Sequence, residues 1–186
     1  MTGILAASPV LMAALRRAAA LGLPHWYVGG GAVAQTVWNA LTGRDPLHGI
    51  RDFDLVYHDG GDLSWAAEDA VIRRGAEVFA GLPVEVEIRN QARVHLWYPE
   101  RFGQPCPPVE RTEDAIDRFP AIATAVGVRH EPAGGWTVHA RHGLDDIFAL
   151  LVRPNPVLCP RWVYEAKAER WLGSWPELTV EPWPQM

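Results

Sequence analysis

Asp52 and Asp54 sit two apart in the otherwise apolar run Asp52-Phe53-Asp54-Leu55-Val56-Tyr57. Strand side chains alternate between faces, so both carboxylates project from one side while Phe53 and Leu55 enter the core. Like charges this close repel, and a divalent cation held between them relieves the repulsion. Upstream, the apolar run Trp26-Tyr27-Val28 ends in Gly29-Gly30-Gly31 before Ala32. Three glycines let a strand turn sharply into a helix and leave backbone N–H groups bare at the helix N-terminus, a natural seat for phosphate. Downstream, Glu85, Glu87 and Arg89 alternate with Val84, Val86 and Ile88, which adds acid to the same kind of surface. Clustered carboxylates beside a phosphate seat imply metal-assisted phosphate chemistry.

These groups need elements to hold them. Ser8 and Pro9 are a cap and first-turn proline for a helix whose Leu11, Leu15, Ala18 and Leu21 share one face before Gly22. Residues 25–28 read as a strand, and residues 32–41 as a helix with Val33, Val37 and Leu41 as its buried stripe and Gly43 as its stop. Residues 42–50 are polar, contain Pro46 and Gly49, and read as a loop whose charges could reach a ligand. After the Asp52 strand and the Asp59-Gly60-Gly61 turn, Asp62 or Ser64 caps a helix through Arg74, with Trp65, Val71 and Ile72 as candidate buried residues and Gly75 as its end. A short run at 76–80, a turn at Gly81-Leu82-Pro83 and a strand at 84–89 then suggest a hairpin.

The strand, if it continues to Leu96, brings Arg89, Gln91, Arg93 and His95 to the face of Glu87. There they could meet phosphate or an acceptor, or balance the acids as ion pairs. Residues 99–110 contain four prolines and read as a rigid loop, followed by a short helix capped by Thr112. Residues 121–129 and 136–140 suggest a second hairpin, with Pro132, Gly134 and Gly135 in its connection. Residues 143–152 read as a helix with the stripe Leu144, Ile147, Phe148 and Leu151. His142, Asp145 and Asp146 fit a helix start better than a catalytic set, and Arg129 and Arg141 could bind phosphate or be surface charges. A short helix at 163–172 lies in a Pro- and Trp-rich final segment.

At 186 residues, with 48% hydrophobic and 21% charged residues, the chain has the make-up of one α/β domain over residues 1–186. The formal net charge of −5 provides no global positive field, so an extended duplex nucleic acid is not an expected partner. Cys106 and Cys159 match no zinc spacing or disulfide framework and read as free thiols. With no signal-peptide pattern and no long apolar run, the expectation is a cytoplasmic protein without a membrane partner. The nine tryptophans are expected mostly in the core.

The residues Val28-Gly29-Gly30, Asp52-Phe53-Asp54-Leu55 and Glu87 resemble the active site of the DNA polymerase β-like nucleotidyltransferases. The likeness is closer to a small bacterial group of nucleotidyltransferases within that superfamily. It is carried by Gly29 to Val33, the block from Val86 to Tyr98, Gly143-Leu144-Asp145-Asp146 and Arg153-Pro154-Asn155-Pro156. With Tyr164, Lys167 and residues 171–176 it covers nearly the whole chain. The resemblance implies a mixed sheet with packed helices. It implies that Gly29, Gly30 and Gly31 cradle a nucleoside triphosphate and that Asp52, Asp54 and Glu87 hold Mg2+ or Mn2+. Glu87 is the third acid on that block, with Glu85 on the same face as the alternative, and Arg89 and Arg93 are candidate nucleotide contacts. The implied reaction is transfer of a nucleoside monophosphate to an unidentified hydroxyl acceptor, with loss of pyrophosphate. A non-catalytic nucleotide-binding module on the same fold and a metal-dependent phosphodiester hydrolase are the alternatives.

Overall fold

The computed structural model describes residues 1–131 and 133–185, so Pro132 of the expected hairpin connection lies outside the described residues. Helix α1 (Thr2–Ala6) leads into α2 (Pro9–Leu21), where Ser8 accepts from the Leu11 amide at 3.4 Å and Gly22, at φ 64°, ends the helix. Strand β1 (Tyr27–Gly29) then passes through Gly30 into α3 (Gly31–Leu41). Val33 and Val37 are fully buried, whereas Leu41 lies 44% exposed at the helix end.

The loop at 42–50 is fastened down. Asn39 donates to the carbonyls of Pro46 and His48, and accepts from the Trp175 indole at 2.8 Å. A Cβ on Gly49 would stand 2.5 Å from that indole ring, so only glycine lets the loop lie against it. Arg44, a charge this loop was expected to offer a ligand, pairs with Glu177.

Strand β2 (Asp52–Tyr57), α4 (Trp65–Val78) and β3 (Glu85–Asn90) form one crossover, with β3 parallel to β2. The hairpin expected over 76–89 is therefore absent. Ser64 caps α4 through the Ala67 amide, but the helix does not stop at Gly75. A Cβ there would meet Ile88 Cδ1 at 2.1 Å, so this glycine serves close helix-to-strand packing. Trp65, expected in the core, is 67% exposed, and Val71 and Ile72 are half-buried.

The chain leaves the sheet after Asn90. Residues Gln91–Arg93 form a single 3-10 turn, capped by the Asn90 side chain, and α5 (Val94–Phe102) follows. The strand does not continue to Leu96, and the helix includes Pro99. In α6 (Thr112–Ile116) Thr112 is the first residue rather than the cap, and its hydroxyl donates to the His25 carbonyl at 2.6 Å.

Strands β4 (Gly127–His130) and β5 (Trp136–His139) pair as a hairpin, while residues 121–126 precede the ladder. The helix expected over 143–152 is only α7 (Asp145–Phe148), because Leu150 takes a positive φ of 53° and turns the chain into β6 (Leu151–Val152). Phe148 is exposed. Helix α8 (Arg161–Ser174) and β7 (Thr179–Val180), paired with β6, complete the chain.

The main sheet has the order β3-β2-β1-β4-β5 and is mixed, parallel at β2–β3 and antiparallel elsewhere. One face carries Val28, Phe53, Leu55, Tyr57 and Ile88 into the core with residues of α2 and α3. The opposite face carries Tyr27 and Val56, packed with Ile116 and Phe119. Of the nine tryptophans Trp26, Trp38, Trp171 and Trp175 are buried, whereas Trp65 and Trp162 are exposed. Among the described residues no helix is long and apolar enough to cross a membrane.

Candidate active site

The pairing register sets the site. Gly29 pairs with Asp54, and Asp54 with Glu87, so one row runs across three adjacent strands on the sheet face opposite the main core. Gly127 continues that row beside Gly29. Without side chains at 29 and 127, the Phe119 ring comes down over Gly29 and Gly30 and the Ile116 side chain over Gly127.

Gly30 has φ 66° and ψ −135°, a conformation that side chains exclude, and a Cβ on it would lie 3.2 Å from Asp54 Oδ2. Its own amide is not bare, for it donates to the Val126 carbonyl at 2.9 Å. The open end of α3 begins one residue later, at Gly31, and no side chain caps it. At Gly31 the Gln35 amide lies so close that a Cβ would stand 2.4 Å from its nitrogen, and a side chain there would have to turn Gln35 aside.

Beside this row lies a cleft of about 620 Å³, within the usual range of small-molecule sites, whose wall does not include Gly29. Gly30, Gly31, Asp52, Asp54, Glu87, Arg89 and Arg93 are in its wall. Glu85 lies beside Asp52 at the exposed start of β3, so of the two candidate third acids Glu87 is the one opposite Asp54. Burial pushes the Asp54 carboxyl up to about 6, and repulsion from Asp52 adds to it, while Lys167 pulls the other way.

Glu87 is not turned to the aspartates alone, because Arg89 pairs with it at 2.7 Å. Accordingly, no group of three or more His, Cys, Asp and Glu side chains is drawn together at metal-ligand range among the described residues. The two aspartates fit a divalent cation by their chemistry: two carboxylates one strand repeat apart, one of them held well above the usual carboxylate range by burial and by repulsion from the other. A third ligand from Glu87 would require it to part from Arg89.

Arg93 has a different setting. It lies on the 3-10 turn, forms a buried ion pair with Glu68, and donates to the Leu63 carbonyl. Glu68 also accepts from the Asn90 amide at 2.8 Å, so this pair pins the end of β3 to α4. Arg129 and Arg141 are engaged with Glu131 and Asp117, and Asp146 at the start of α7 takes both arms of Arg153.

Several cleft residues were given no role by the sequence, although Lys167 and Trp171 fall in the stretches that carry the family resemblance. Helix α8 contributes Val163, Lys167, Arg170 and Trp171, spaced i, i+4, i+7 and i+8 along one face. The far wall is aromatic, where Tyr98 and Phe102 lie 4.4 Å apart and Arg101 stacks over Trp97 and Phe102. Four buried polar side-chain atoms lack a partner among the described residues, and three of them, Gln35 Oε1, His95 Nδ1 and Trp171 Nε1, belong to residues lining this cleft.

A structure solved by NMR, described as revealing a CCA-adding enzyme head domain, is similar over 98% of this chain and 96% of its own, at 25% identity and a TM-score of 0.80. The mixed sheet with its packed helices is thus a nucleotidyltransferase head-domain fold. A comparison with curated proteins gives no match. A family model described as Nucleotidyltransferase matches residues 16–180, nearly the whole of the sequence that builds the sheet and the cleft, and the chain belongs to that nucleotidyltransferase family.

Proposed function

We propose that the protein is a metal-dependent nucleotidyltransferase that moves a nucleoside monophosphate from a nucleoside triphosphate to a hydroxyl acceptor. The observation that carries the reading is the row in which Asp54 stands between Gly29 and Glu87, beside an uncapped helix start and along one cleft. The acceptor oxygen bonds to the α-phosphorus, the bond from that phosphorus to the bridging oxygen breaks, and pyrophosphate leaves. Gly30 and Gly31 keep the turn low enough for phosphate to approach the helix end. The Glu87 carboxylate takes the acceptor's proton once Arg89 turns to the substrate's negative charge.

Asp52, Asp54 and Glu87 would hold Mg2+ or Mn2+, which, when bound, lowers the acceptor hydroxyl's pKa and neutralises phosphate charge. The site's own residues orient the donor, with Asp54 set back from solvent and Asp52 and Glu87 open to it. The structural neighbour's description as CCA-adding makes CTP and ATP the donors to try first.

The test is incubation with α-labelled CTP or ATP, Mg2+ and a cell extract. Labelled acceptor and released pyrophosphate are expected from the wild type and neither from Asp54→Asn. Nucleoside monophosphate released without labelled acceptor would make the protein a hydrolase. Nucleotide binding with no turnover would make it a binding module.

A further inference from the structure

The segments around Asp146 and Arg153 belong to the family resemblance, yet they supply nothing to the row of acids. Both meet the bend that follows α6. Residues 117–120 lie between α6 and the 3-10 turn Ile122–Thr124, in no helix or strand. Asn155 holds them in place. Its side-chain nitrogen donates to the carbonyls of Asp117 at 2.7 Å and Phe119 at 2.9 Å, and its backbone amide donates to the Pro120 carbonyl at 2.9 Å. One asparagine, 1% exposed, thus gathers the carbonyls of the whole bend.

Asn155 is itself braced. Prolines at 154 and 156 restrict the backbone before and after it, Ala121 bridges Pro154, and the Ile122 amide donates to the Arg153 carbonyl at 3.0 Å. Arg153 in turn lays both arms of its guanidinium on the Asp146 carboxylate, at 2.7 and 2.8 Å, a fork that fixes direction as well as distance. Contacts therefore run unbroken from α7 to the bend.

What the bend carries is the Phe119 ring. Its Cε2 atom would stand 3.4 Å from a Cβ on Gly29 and 3.3 Å from one on Gly30, and the ring lies in the wall of the cleft. The same point on Gly30 is 3.2 Å from Asp54 Oδ2, so the ring and the carboxylate flank one glycine. Gly30 has no side chain with which to pack, and Phe119 supplies the packing.

We infer that Asn155, braced by the Arg153–Asp146 pair, is a positioning residue for the candidate active site. Through the Phe119 ring it keeps the Gly29-Gly30 turn in the shape that lets Asp54 and the start of α3 meet one ligand. That ligand is the nucleoside triphosphate of the reading above, on which this role rests. Asn155 acts at one remove and takes no part in proton transfer. Two side-chain N–H donors are needed at one point, and an aspartate of the same shape has neither. An asparagine that only satisfied loop carbonyls, a common task for a buried amide, would affect stability alone.

The experiment is NMR of the full chain as wild type, Asn155→Ala, Asn155→Asp, Phe119→Leu and Arg17→Met, with a titration of each by CTP and Mg2+. Urea midpoints identify any variant that fails to fold. In the wild type the Gly29 and Gly30 α-protons should be displaced from their usual positions by the field of the Phe119 ring. Phe119→Leu should abolish that displacement and the Asn155 variants should remove most of it, and all three should weaken CTP binding about threefold to tenfold. Arg17→Met gives up bonds to the Val78 and Ala80 carbonyls, so it should lose stability and leave both readouts as in the wild type. If neither Asn155 variant folds, Arg153→Met, whose side chain is 46% exposed, takes their place.

Unmoved glycine signals in a folded Asn155 variant would overturn the role. So would moved signals with CTP binding within about twofold of wild type, which would leave Asn155 a fastener of its loop. If the signals move and the wild type itself binds no CTP, the positioning of the turn stands and nucleotidyl transfer falls. If label reaches an acceptor while the signals stay in place, transfer stands and the positioning falls.

Discussion

Gly30 and Asp54 are so close that a methyl group on the glycine would stand 3.2 Å from the carboxylate oxygen Oδ2. The turn and the acid are thus one structural unit, and the backbone of Gly30, at φ 66° and ψ −135°, is open to no other residue without strain. Gly30→Ala should cost about 1–3 kcal/mol of stability and displace the Asp54 carboxylate. Urea denaturation reads the first effect. Titration with Mn2+ reads the second, as a weaker binding constant in the fraction that remains folded.

Asp54 should make the metal-free protein lose stability as pH rises. Burial, then Asp52, lifts its carboxyl from 3.8 to about 6 in the folded state. Between those values the folded protein keeps a proton that the unfolded chain releases. The contribution is therefore complete below about pH 4 and gone above about pH 6, on the order of 2 kcal/mol. In Asp54→Asn this slope should vanish, leaving the variant more stable than wild type at pH 8 in the presence of a chelator. Urea midpoints at pH 4.5 and pH 8 measure it.

The two arginines next in sequence to Glu87 should separate by stability. Arg93→Met strands Glu68 in the interior without its partner, at a cost of about 3–5 kcal/mol. Arg89→Met breaks a half-exposed pair and should change stability by less than about 1 kcal/mol. Equal, small losses for both would remove the structural role assigned to Arg93.

Arg89→Met should also release Glu87. With its positive neighbour gone, that carboxylate is free to join Asp52 and Asp54, so affinity for Mn2+ alone should rise severalfold. Affinity for the nucleoside triphosphate should fall in the same variant, because the guanidinium is no longer there to meet it. A fall in both, or in neither, would mean that Arg89 does not choose between the acid and the substrate.

The sequence revealed the acids and the turn because both are local: alternation put Asp52 and Asp54 on one side, and a triple glycine can only be a special piece of backbone. Their convergence with Glu87 follows from the register of β2 on β3, and the direction of that pairing was not legible. A hairpin reading of 76–89 and the actual crossover both place Glu87 and Asp54 on strands, but the helix through Gly75 decides which. That glycine looked like a terminator and instead makes room for Ile88. The α8 contribution was hidden for another reason. Lys167, Arg170 and Trp171 look like an ordinary mixed helix face, and nothing local says that the tertiary fold closes this face over a cleft. The arginine at 93 was similarly misleading, since a strand prolonged past Asn90 would have aimed it at phosphate, whereas the 3-10 turn sends it to Glu68.

Helix α8 comes far later along the chain than the two aspartates with which it shares the cleft. On the ribosome the carboxylates therefore emerge first, and the cleft is complete only when the last helix has been made and docked.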